Sequence, residues 1–354
     1  MLFTPLKVGA ITLSNRLLMA PLTRARSDVA HMPNELMAQY YAQRASAGLI
    51  VTECTMVAPN TSAFVTEPGI YSPEQVEAWK ATTTAVHANG GKIFMQIWHA
   101  GRAAHPLLNH GADNVSSSAI AVSGDIQTPG GKVAHAVPHA LTTAEISTLV
   151  ESFANGAKNA VAAGFDGVEV HAANGYLIDQ FLRESANHRT DNYGGSMENR
   201  ARFLFEILSA VSAAIGSDRV GVRLSPLNSY NSMLDSDPIG WTEFLANRLN
   251  DFNLAYLHMM RADFFQQQTG DVMTAARAHY KGVLIGNMGY SSEEAAAAIR
   301  DKKLDAVAFG TAFLANPDLP ARLQAGAALN VPDQSTFYTP GAKGYTDYPS
   351  LQTV

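Results

Sequence analysis

The sequence predicts an α/β protein built as a single (β/α)8 TIM barrel, and three observations favour this fold class. Eight short apolar segments recur along the 354 residues, and segments with helical patterning lie between them. Most of the eight are continuous apolar runs, as in parallel strands covered on both faces. Eight strand–helix units in a chain of this length fit a closed barrel better than an open doubly wound sheet.

The eight predicted strands set the order of the elements along the chain. They are residues 16–20, 49–54, 92–98, 167–171, 220–224, 256–260, 283–287 and 306–310. Two helix starts are marked by capping boxes, in which a hydroxyl and a carboxylate three residues later satisfy free backbone N–H groups. These pairs are Thr142 with Glu145 and Ser291 with Glu294.

Two segments interrupt this regular order. Residues 103–139 are rich in Gly, Ser, His and Pro, and we predict an inserted lid or small subdomain after the third strand. Residues 331–354 are rich in Pro, Gly and Tyr, which predicts a tail that docks on the body of the protein. Together, residues 1–354 are expected to form one domain.

Composition restricts the class of protein and its surroundings. The formal net charge is -6 without a basic stripe, so nucleic acid is not an expected partner. No apolar run is long enough for a membrane span, and the N-terminus does not have the pattern of a signal peptide. The single cysteine, Cys54, excludes an intramolecular disulfide and favours a cytoplasmic protein.

The end of the fourth predicted strand offers the clearest candidate site, because barrel active sites lie at the carboxyl ends of strands. His171 and Asn174 are three residues apart and Tyr176 follows them. Two neutral donors aimed at one point stabilise a developing oxyanion, and a tyrosine supplies a proton. From spacing alone, a loop turn with satisfied polar side chains is an equally good interpretation.

A longer motif follows this candidate site. Residues 181–200 read FLRESANHRTDNYGGSMENR, and this stretch resembles the signature of the Old Yellow Enzyme family. Four further motifs match that family in its order: APLTR at 20–24, QIWHAGR at 96–102, GVRLSP at 221–226 and ANPDL at 315–319. The resemblance implies an FMN-dependent ene reductase, in which NADPH or NADH reduces a tightly but non-covalently bound FMN. The flavin then reduces an activated alkene such as an enone, a maleimide or a nitro compound.

The resemblance also implies a catalytic role for each residue of the candidate site. His171 and Asn174 are expected to bind the carbonyl or nitro oxygen of the substrate, and Tyr176 to protonate its α-carbon. Arg223 is expected beside flavin N1 and O2, where a fixed cation favours the anionic reduced flavin. Without the motif, the alternative interpretation of Arg223 is a salt bridge at the barrel rim.

Other positions match the family's contacts to the flavin ring and to the substrate. The implied contacts to the ring come from Pro21, Leu22, Thr23, Cys54 and Gln96. For Cys54, the sequence favours an interpretation as a small buried hydrophobe. The implied substrate contacts come from Phe64, Trp98 and Tyr338. Phe64 departs from close relatives, which often carry tyrosine there, and Trp98 has a competing interpretation as a core aromatic residue.

The FMN phosphate is expected at the ends of the last two strands. Gly286, Asn287 and Gly310 fall where such barrels build a cradle from backbone N–H groups and a helix N-terminus. The family usually places an arginine after the last of these glycines, but Thr311 stands here. A hydroxyl in place of a guanidinium is expected to weaken FMN binding roughly tenfold or more.

Two other functions compete with alkene reduction. The first is a flavin-binding protein with little turnover, suggested by Thr311 but disfavoured by the intact His171, Asn174 and Tyr176 set. The second is a metal-dependent barrel hydrolase, suggested by 11 histidines. The chain has no H-E-x-x-H motif, and few carboxylates lie near the histidines, so we expect no metal. The partners expected are small activated alkenes, and the protein is expected to be a monomer or a homodimer.

Overall fold

The computed structural model describes residues 1–351, in which eight parallel strands close into a barrel. The strands are β1 (Leu17–Met19), β2 (Leu49–Val51), β3 (Ile93–Trp98), β4 (Gly167–Ala172), β5 (Val220–Leu224), β6 (Tyr256–Met260), β7 (Leu284–Asn287) and β8 (Ala306–Phe309). Each strand pairs with the next, and β8 pairs with β1, which closes the sheet. The predicted barrel is therefore confirmed, with all eight strands at the expected places.

Helices cover the outside of the barrel and connect its strands. They are α1 (Glu35–Ala42), α2 (Pro73–Ala88), α3 (Thr143–Ala162), α4 (Leu177–Leu182), α5 (Met197–Ile215), α6 (Pro238–Leu249), α7 (Val272–His279), α8 (Ser292–Arg300), α9 (Thr311–Ala315) and α10 (Leu319–Ala325). Both predicted capping boxes are present, at the starts of α3 and α8. Within residues 1–351, no helix combines the length and the apolar character that a membrane crossing requires.

The strands bury both faces, which explains their continuous apolar sequences. One face packs against the surrounding helices, and the other forms a separate cluster inside the barrel that includes Leu18, Phe94 and Tyr256. A hairpin of Leu6–Val8 and Ile11–Leu13 adds its buried side chains to this inner cluster. The barrel is thus a filled core, and its polar residues lie toward the carboxyl ends of the strands.

The segment 103–139 follows β3 and contains little regular structure. Its hairpin pairs Asp125–Thr128 with Gly131–Ala134, and Val115–Ser116 pairs with His139–Ala140. Ser116 donates a hydrogen bond of 2.9 Å to Gln180 in α4, which ties the segment to the barrel wall. Its action as a lid stays a prediction, because none of its residues lines the cavity described below.

The C-terminal segment is held mainly by arginines through its own backbone carbonyl groups. Arg24 Nη2 donates to the Gly344 oxygen at 2.7 Å, and Arg26 Nη2 donates to the Thr336 oxygen at 2.8 Å. Tyr345 is fully buried beneath them. Of the predicted docking tail, residues 352–354 lie outside the described part of the chain.

Candidate active site

Two adjacent cavities lie at the carboxyl ends of the barrel strands. The first has a volume of about 300 Å³ and the second about 380 Å³. Both are lined by Pro21, Leu22, Asn174, Arg223, Phe264 and Thr311. We call the first the catalytic cavity and the second the rim groove. A larger surface groove of about 750 Å³, between α3 and α5, includes none of the predicted site residues.

His171 and Asn174 each present a hydrogen-bond donor to the catalytic cavity. Nδ1 of His171 accepts from the Ala173 N–H at 3.2 Å, so the proton of the neutral ring is on Nε2. Oδ1 of Asn174 accepts from Asn228 Nδ2 at 2.8 Å, which leaves its own amide N–H groups available. Burial, followed by the charge of Arg223, lowers the pKa of His171 to about 3. Both donors are therefore neutral at physiological pH.

Tight local contacts fix Asn174 in its position. Its backbone is left-handed, with φ +55°, a conformation that asparagine tolerates better than most residues. The Asn174 N–H donates to Ser225 Oγ at 2.8 Å, and Asn231 Nδ2 donates to the Asn174 carbonyl at 2.9 Å. The turn between β4 and α4 is therefore held by residues that follow β5.

Tyr176 lies at the start of α4 and also lines the catalytic cavity. Its ring makes edge-to-face contacts with Trp98 and His171, with centroids 5.0 and 5.1 Å apart. Burial raises the pKa of the Tyr176 hydroxyl well above its ordinary value. The phenol is therefore protonated at physiological pH.

Arg223 reaches the boundary between the two cavities from β5. Its Nη1 donates to His258 Nε2 at 2.7 Å, and its Nη2 donates to Asn287 Oδ1 at 2.8 Å. His258 Nδ1 in turn lies 2.8 Å from Glu169 Oε2. Strand register places these side chains together, because His171 pairs with Arg223 and Arg223 with His258. The arginine is thus held by a buried network that spans four neighbouring strands, β4 to β7.

The charge of this network is balanced inside the barrel. Burial would raise the pKa of the Glu169 carboxyl, but His258, Arg223 and the hydrogen bond from Gln96 hold it below its ordinary value. Burial and the charge of Arg223 lower the pKa of His258. Glu169 is therefore the anion that balances Arg223, with a neutral imidazole between them.

The predicted contacts to the flavin ring meet around the catalytic cavity. Its wall includes Pro21, Leu22, Thr23, Cys54 and Gln96. One N–H of the Gln96 amide is used by Glu169 Oε1 at 2.8 Å, which leaves its oxygen and a second N–H available. Thr23 Oγ1 lies 3.2 Å from Cys54 Sγ. Burial raises the pKa of the Cys54 thiol well above its ordinary value, so this cysteine is an unreactive neighbour.

The rim groove brings together three of the residues that the sequence predicts for the phosphate cradle. Asn287, Gly310 and Thr311 line it. Gly286 requires a correction, because successive strand residues face opposite sides and Gly286 faces outward. A Cβ there would lie 2.5 Å from Leu304 Cδ1. Two residues that the sequence did not indicate, Met288 and Gly289, line the groove instead.

The three predicted substrate residues do not all reach the catalytic cavity. Phe64 and Tyr338 line it, with their rings stacked at a centroid distance of 6.2 Å. Trp98 requires a correction, because it is fully buried behind the wall, in contact with Phe64 and Tyr176. Trp98 is therefore a core aromatic residue that packs against the ring of Tyr176.

The sequence interpretation missed several residues of the site. At the cavity mouth these are Tyr230, Phe264 and Phe337, and the buried Leu314 also lines the cavity. Glu169 and His258 were also missed, although each is a charged or titratable residue inside an apolar strand. Glu169 lies two positions before His171, on the same strand face, which is a period-two signal of a shared polar layer.

A flavin fits the groups that this structure leaves without partners. Nε of Arg223 is buried and has no hydrogen-bond partner within the described residues. A flavin offers two acceptors, N1 and O2, on one edge, and Arg223, which lines both cavities, would be available to donate to them. Fold and site together define a flavin-dependent oxidoreductase on a (β/α)8 barrel.

Comparison with known proteins identifies the family. Residues 1–330 match the model of the NADH:flavin oxidoreductase / NADH oxidase family, and the chain belongs to that family. A probable flavin mononucleotide-dependent alkene reductase of Leishmania infantum is 50% identical over 353 residues, covering 98% of this chain and 96% of the relative. The old yellow enzyme of Trypanosoma cruzi is 45% identical, with a TM-score of 0.97 and 99% of each chain covered.

A third relative bears on the reductant. Morphinone reductase in complex with tetrahydroNAD is 44% identical, with a TM-score of 0.94, covering 99% of this chain and 98% of the relative. The resemblance found in the sequence is therefore confirmed. The chain is an FMN-dependent alkene reductase of the Old Yellow Enzyme family and uses NAD(P)H as its reductant.

Proposed function

We propose that His171 and Asn174 bind the carbonyl or nitro oxygen of the alkene substrate. This proposal rests on one observation, namely which hydrogen-bonding atoms of the two side chains already have partners in the protein. Their acceptor atoms are occupied by the Ala173 N–H and Asn228, so both direct only donors into the cavity. Two neutral donors stabilise the negative charge that builds on that oxygen when the β-carbon accepts hydride.

Tyr176 supplies the proton in this scheme. When bound, reduced FMN provides the hydride for the β-carbon of the alkene. The α-carbon then becomes basic, and the buried Tyr176 hydroxyl lies in the wall of the same cavity. The raised pKa of Tyr176 favours proton retention before this step. Because the Tyr176 ring packs against Trp98 and His171, its hydroxyl is oriented for proton transfer.

Arg223 is the proposed electrostatic partner of the flavin. Its guanidinium is oriented by His258 and Asn287, and its unpartnered Nε is available for the N1 and O2 edge. The other proposed flavin contacts come from Pro21, Leu22, Thr23, Cys54 and Gln96 around the ring and from Asn287, Gly310 and Thr311 around the phosphate.

The substrate range and the organisation of the protein are part of the same proposal. Phe64 and Tyr338 offer stacked aromatic faces to enones, maleimides or nitro alkenes. The proposed oxyanion donors, hydride donor and proton donor all meet at one cavity. NAD(P)H and the alkene therefore bind there in turn, which gives ping-pong kinetics. We further propose that residues 1–354 form one domain that acts in the cytoplasm as a monomer or homodimer, without nucleic-acid partners.

Binding of a phenol tests the oxyanion site, because a phenolate resembles the enolate that forms during reduction. The double variant His171→Ala, Asn174→Ala should bind p-hydroxybenzaldehyde at least about tenfold more weakly, since two donors to a charged oxygen are lost. Affinity is measured from the change in flavin absorption during titration. The matched control is His110→Ala, Asn155→Ala, which changes two exposed residues outside the cavity. Equal affinity in both double variants would remove His171 and Asn174 from this role.

A further inference from the structure

The loop after β7 contains two consecutive residues with left-handed backbone conformations. Met288 has φ +87° and Gly289 has φ +68°. Glycine adopts this region freely, but methionine does so only at a cost in free energy. Such a conformation persists when the surrounding contacts impose it. Both residues line the rim groove, so the shape of this loop determines one wall of the proposed phosphate cradle.

Arg261, which directly follows β6, makes the contacts that impose this shape. Its Nε donates to the Met288 carbonyl at 2.8 Å, and its Nη2 donates to the Gly289 carbonyl at 2.7 Å. The guanidinium also lies 3.8 Å from the ring centroid of Tyr290, and Nη2 lies 3.1 Å from Glu294 Oε2. One planar fork therefore joins the Met288 and Gly289 carbonyl groups to the first turn of α8.

The direction of these hydrogen bonds determines where the loop's own donors point. Arg261 borders a separate groove of about 600 Å³ on the outer side of the loop and is not part of the rim groove lining. In a trans peptide the C=O and the next N–H point in opposite directions. The N–H groups of Gly289 and Tyr290 therefore point away from Arg261. Neither donates to a protein acceptor anywhere in residues 1–351.

We propose that Arg261 is a positioning residue for the FMN phosphate, acting through the Met288 and Gly289 carbonyl groups. By holding both carbonyls outward, it presents two backbone N–H donors to the phosphate without touching it. The inference rests on the proposed phosphate cradle. The family usually places a phosphate-binding arginine at the position of Thr311. Arg261, which follows β6, thus supplies part of the phosphate affinity that such an arginine would provide.

Comparison of FMN with riboflavin tests the proposal, because riboflavin has the same ring and no phosphate. The full-length protein is equilibrated with each flavin, and the free flavin is measured after ultrafiltration. Arg261→Gln should weaken FMN binding about tenfold and change riboflavin binding less than about twofold. The matched control Arg300→Gln removes an exposed arginine at the other end of α8, paired only with Asp301, and should change neither affinity.

The variant Arg261→Lys separates positioning from simple charge. Lysine keeps the charge but not the fork, so FMN affinity should remain at least about threefold below that of the unchanged protein. Full recovery with lysine would mean that the charge acts on the phosphate from a distance, which would overturn the proposal. Equal loss of FMN and riboflavin affinity in Arg261→Gln would also overturn it. If that variant does not fold, the lysine variant alone decides by the same comparison.

A third variant separates failure of this inference from failure of the cradle assignment. Thr311→Asp places a negative charge in the rim groove and should weaken FMN binding while sparing riboflavin. If Thr311→Asp weakens FMN binding and Arg261→Gln does not, the cradle stands and the function of Arg261 is wrong. If neither variant discriminates between the two flavins, the phosphate lies elsewhere and both assignments fail.

Discussion

Tyr176 is the residue whose proposed function separates the two halves of turnover. Reduction of the flavin by NADPH needs no proton from the protein cavity, whereas reduction of the alkene needs one at the α-carbon. Tyr176→Phe should therefore leave flavin reduction by NADPH within about twofold and slow reoxidation by 2-cyclohexenone about a hundredfold. Anaerobic stopped-flow absorption of the flavin measures each half-reaction separately.

A control variant shows whether the effect belongs to this hydroxyl. Tyr230 also lines the catalytic cavity, but it lies at the mouth and stacks on Phe265 at 6.3 Å. Tyr230→Phe should change neither half-reaction by more than about threefold, because its hydroxyl has no proposed part in the proton transfer. Equal slowing of both half-reactions in Tyr176→Phe would contradict the role of Tyr176 as the acid.

His99 gives a residue-scale prediction for the pH dependence of stability. It directly follows β3, is 5% exposed, and its Nδ1 accepts the Gly101 N–H at 3.0 Å. Burial lowers the pKa of His99 from 6.5 to about 3. Between these values the unfolded chain binds a proton that the folded protein does not. Stability from this residue therefore falls as pH decreases below 6.5, by about 2 kcal/mol at pH 5.

The variant His99→Gln isolates this contribution, because glutamine does not titrate and its oxygen replaces the acceptor for Gly101. Other buried groups act in the opposite direction, since burial raises the pKa of Glu53 to about 7 and that of Asp179 to about 6. These groups are present in both proteins and cancel in the comparison. Urea unfolding gives the free energy of unfolding of both proteins at pH 7.5 and pH 5. The value for the variant, relative to the unchanged protein, should be about 2 kcal/mol higher at pH 5 than at pH 7.5. The same difference in unfolding free energy at both pH values would contradict a neutral, buried His99.

At the scale of elements, the sequence indicated the strands well because each has a continuous apolar run between helical patterns. Val220–Leu224 and Tyr256–Met260 match their predicted bounds. The second strand ends at Val51 instead of residue 54, because the chain leaves the sheet after Val51 and Thr55–Met56 forms a separate short pairing with β3. The predicted second strand was too long because an apolar pattern alone does not show where a strand ends.

The predictions of which strand-end residues line the cavities were less accurate, and the reason is also structural. Trp98 and Gly286 lie at the expected strand ends, but neither lines a cavity. Trp98 is on the same strand face as Gln96 and packs behind Phe64 and Tyr176, whereas Gly286 faces outward. Whether a strand-end residue reaches a cavity depends on barrel register and on side chains that pack over it from distant parts of the sequence. The same dependence hid the contact between Glu169 and His258, which come from different strands and meet only when the barrel closes.

The turn between β8 and α9 carries the clearest departure from the family. Thr311 is exposed at the rim groove, with space for a longer side chain. Thr311→Arg should strengthen FMN binding about tenfold or more, because a guanidinium adds charge-assisted hydrogen bonds to the phosphate. Ultrafiltration with FMN measures the gain, and riboflavin affinity serves as the control. A similar gain for both flavins would show that the new side chain does not reach the phosphate.

At the scale of the whole molecule, the C-terminal segment closes the site from outside the barrel. Phe337 and Tyr338 form part of the cavity mouth, although they are distant in sequence from every strand end. Arg24 and Arg26, which follow β1, donate to backbone carbonyls on both sides of these aromatic residues. The first and last parts of the described chain thus share one set of contacts, and tail and site are coupled.

Tyr345 is the side chain on which this coupling depends. It is fully buried and stacked on Tyr40 at 4.0 Å, with Arg26 at 4.8 Å from its ring centroid. Its hydroxyl is buried without a hydrogen-bond partner in the described residues, so the ring carries the stabilisation. Tyr345→Ala should cost about 3–5 kcal/mol of unfolding free energy. Tyr345→Phe should leave stability unchanged or raise it by about 1 kcal/mol, because it removes an unsatisfied polar atom.

Comparing these two variants also tests the connection to catalysis. If the tail positions Phe337 and Tyr338, loosening it in Tyr345→Ala should weaken phenol binding, whereas Tyr345→Phe should bind phenol as tightly as the unchanged protein. Urea unfolding gives the stabilities, and flavin absorption during phenol titration gives the affinities. A loss of stability without a change in phenol affinity would mean that the tail braces the barrel and leaves the cavity mouth intact. The aromatic residues at the mouth would then be held by the barrel loops alone.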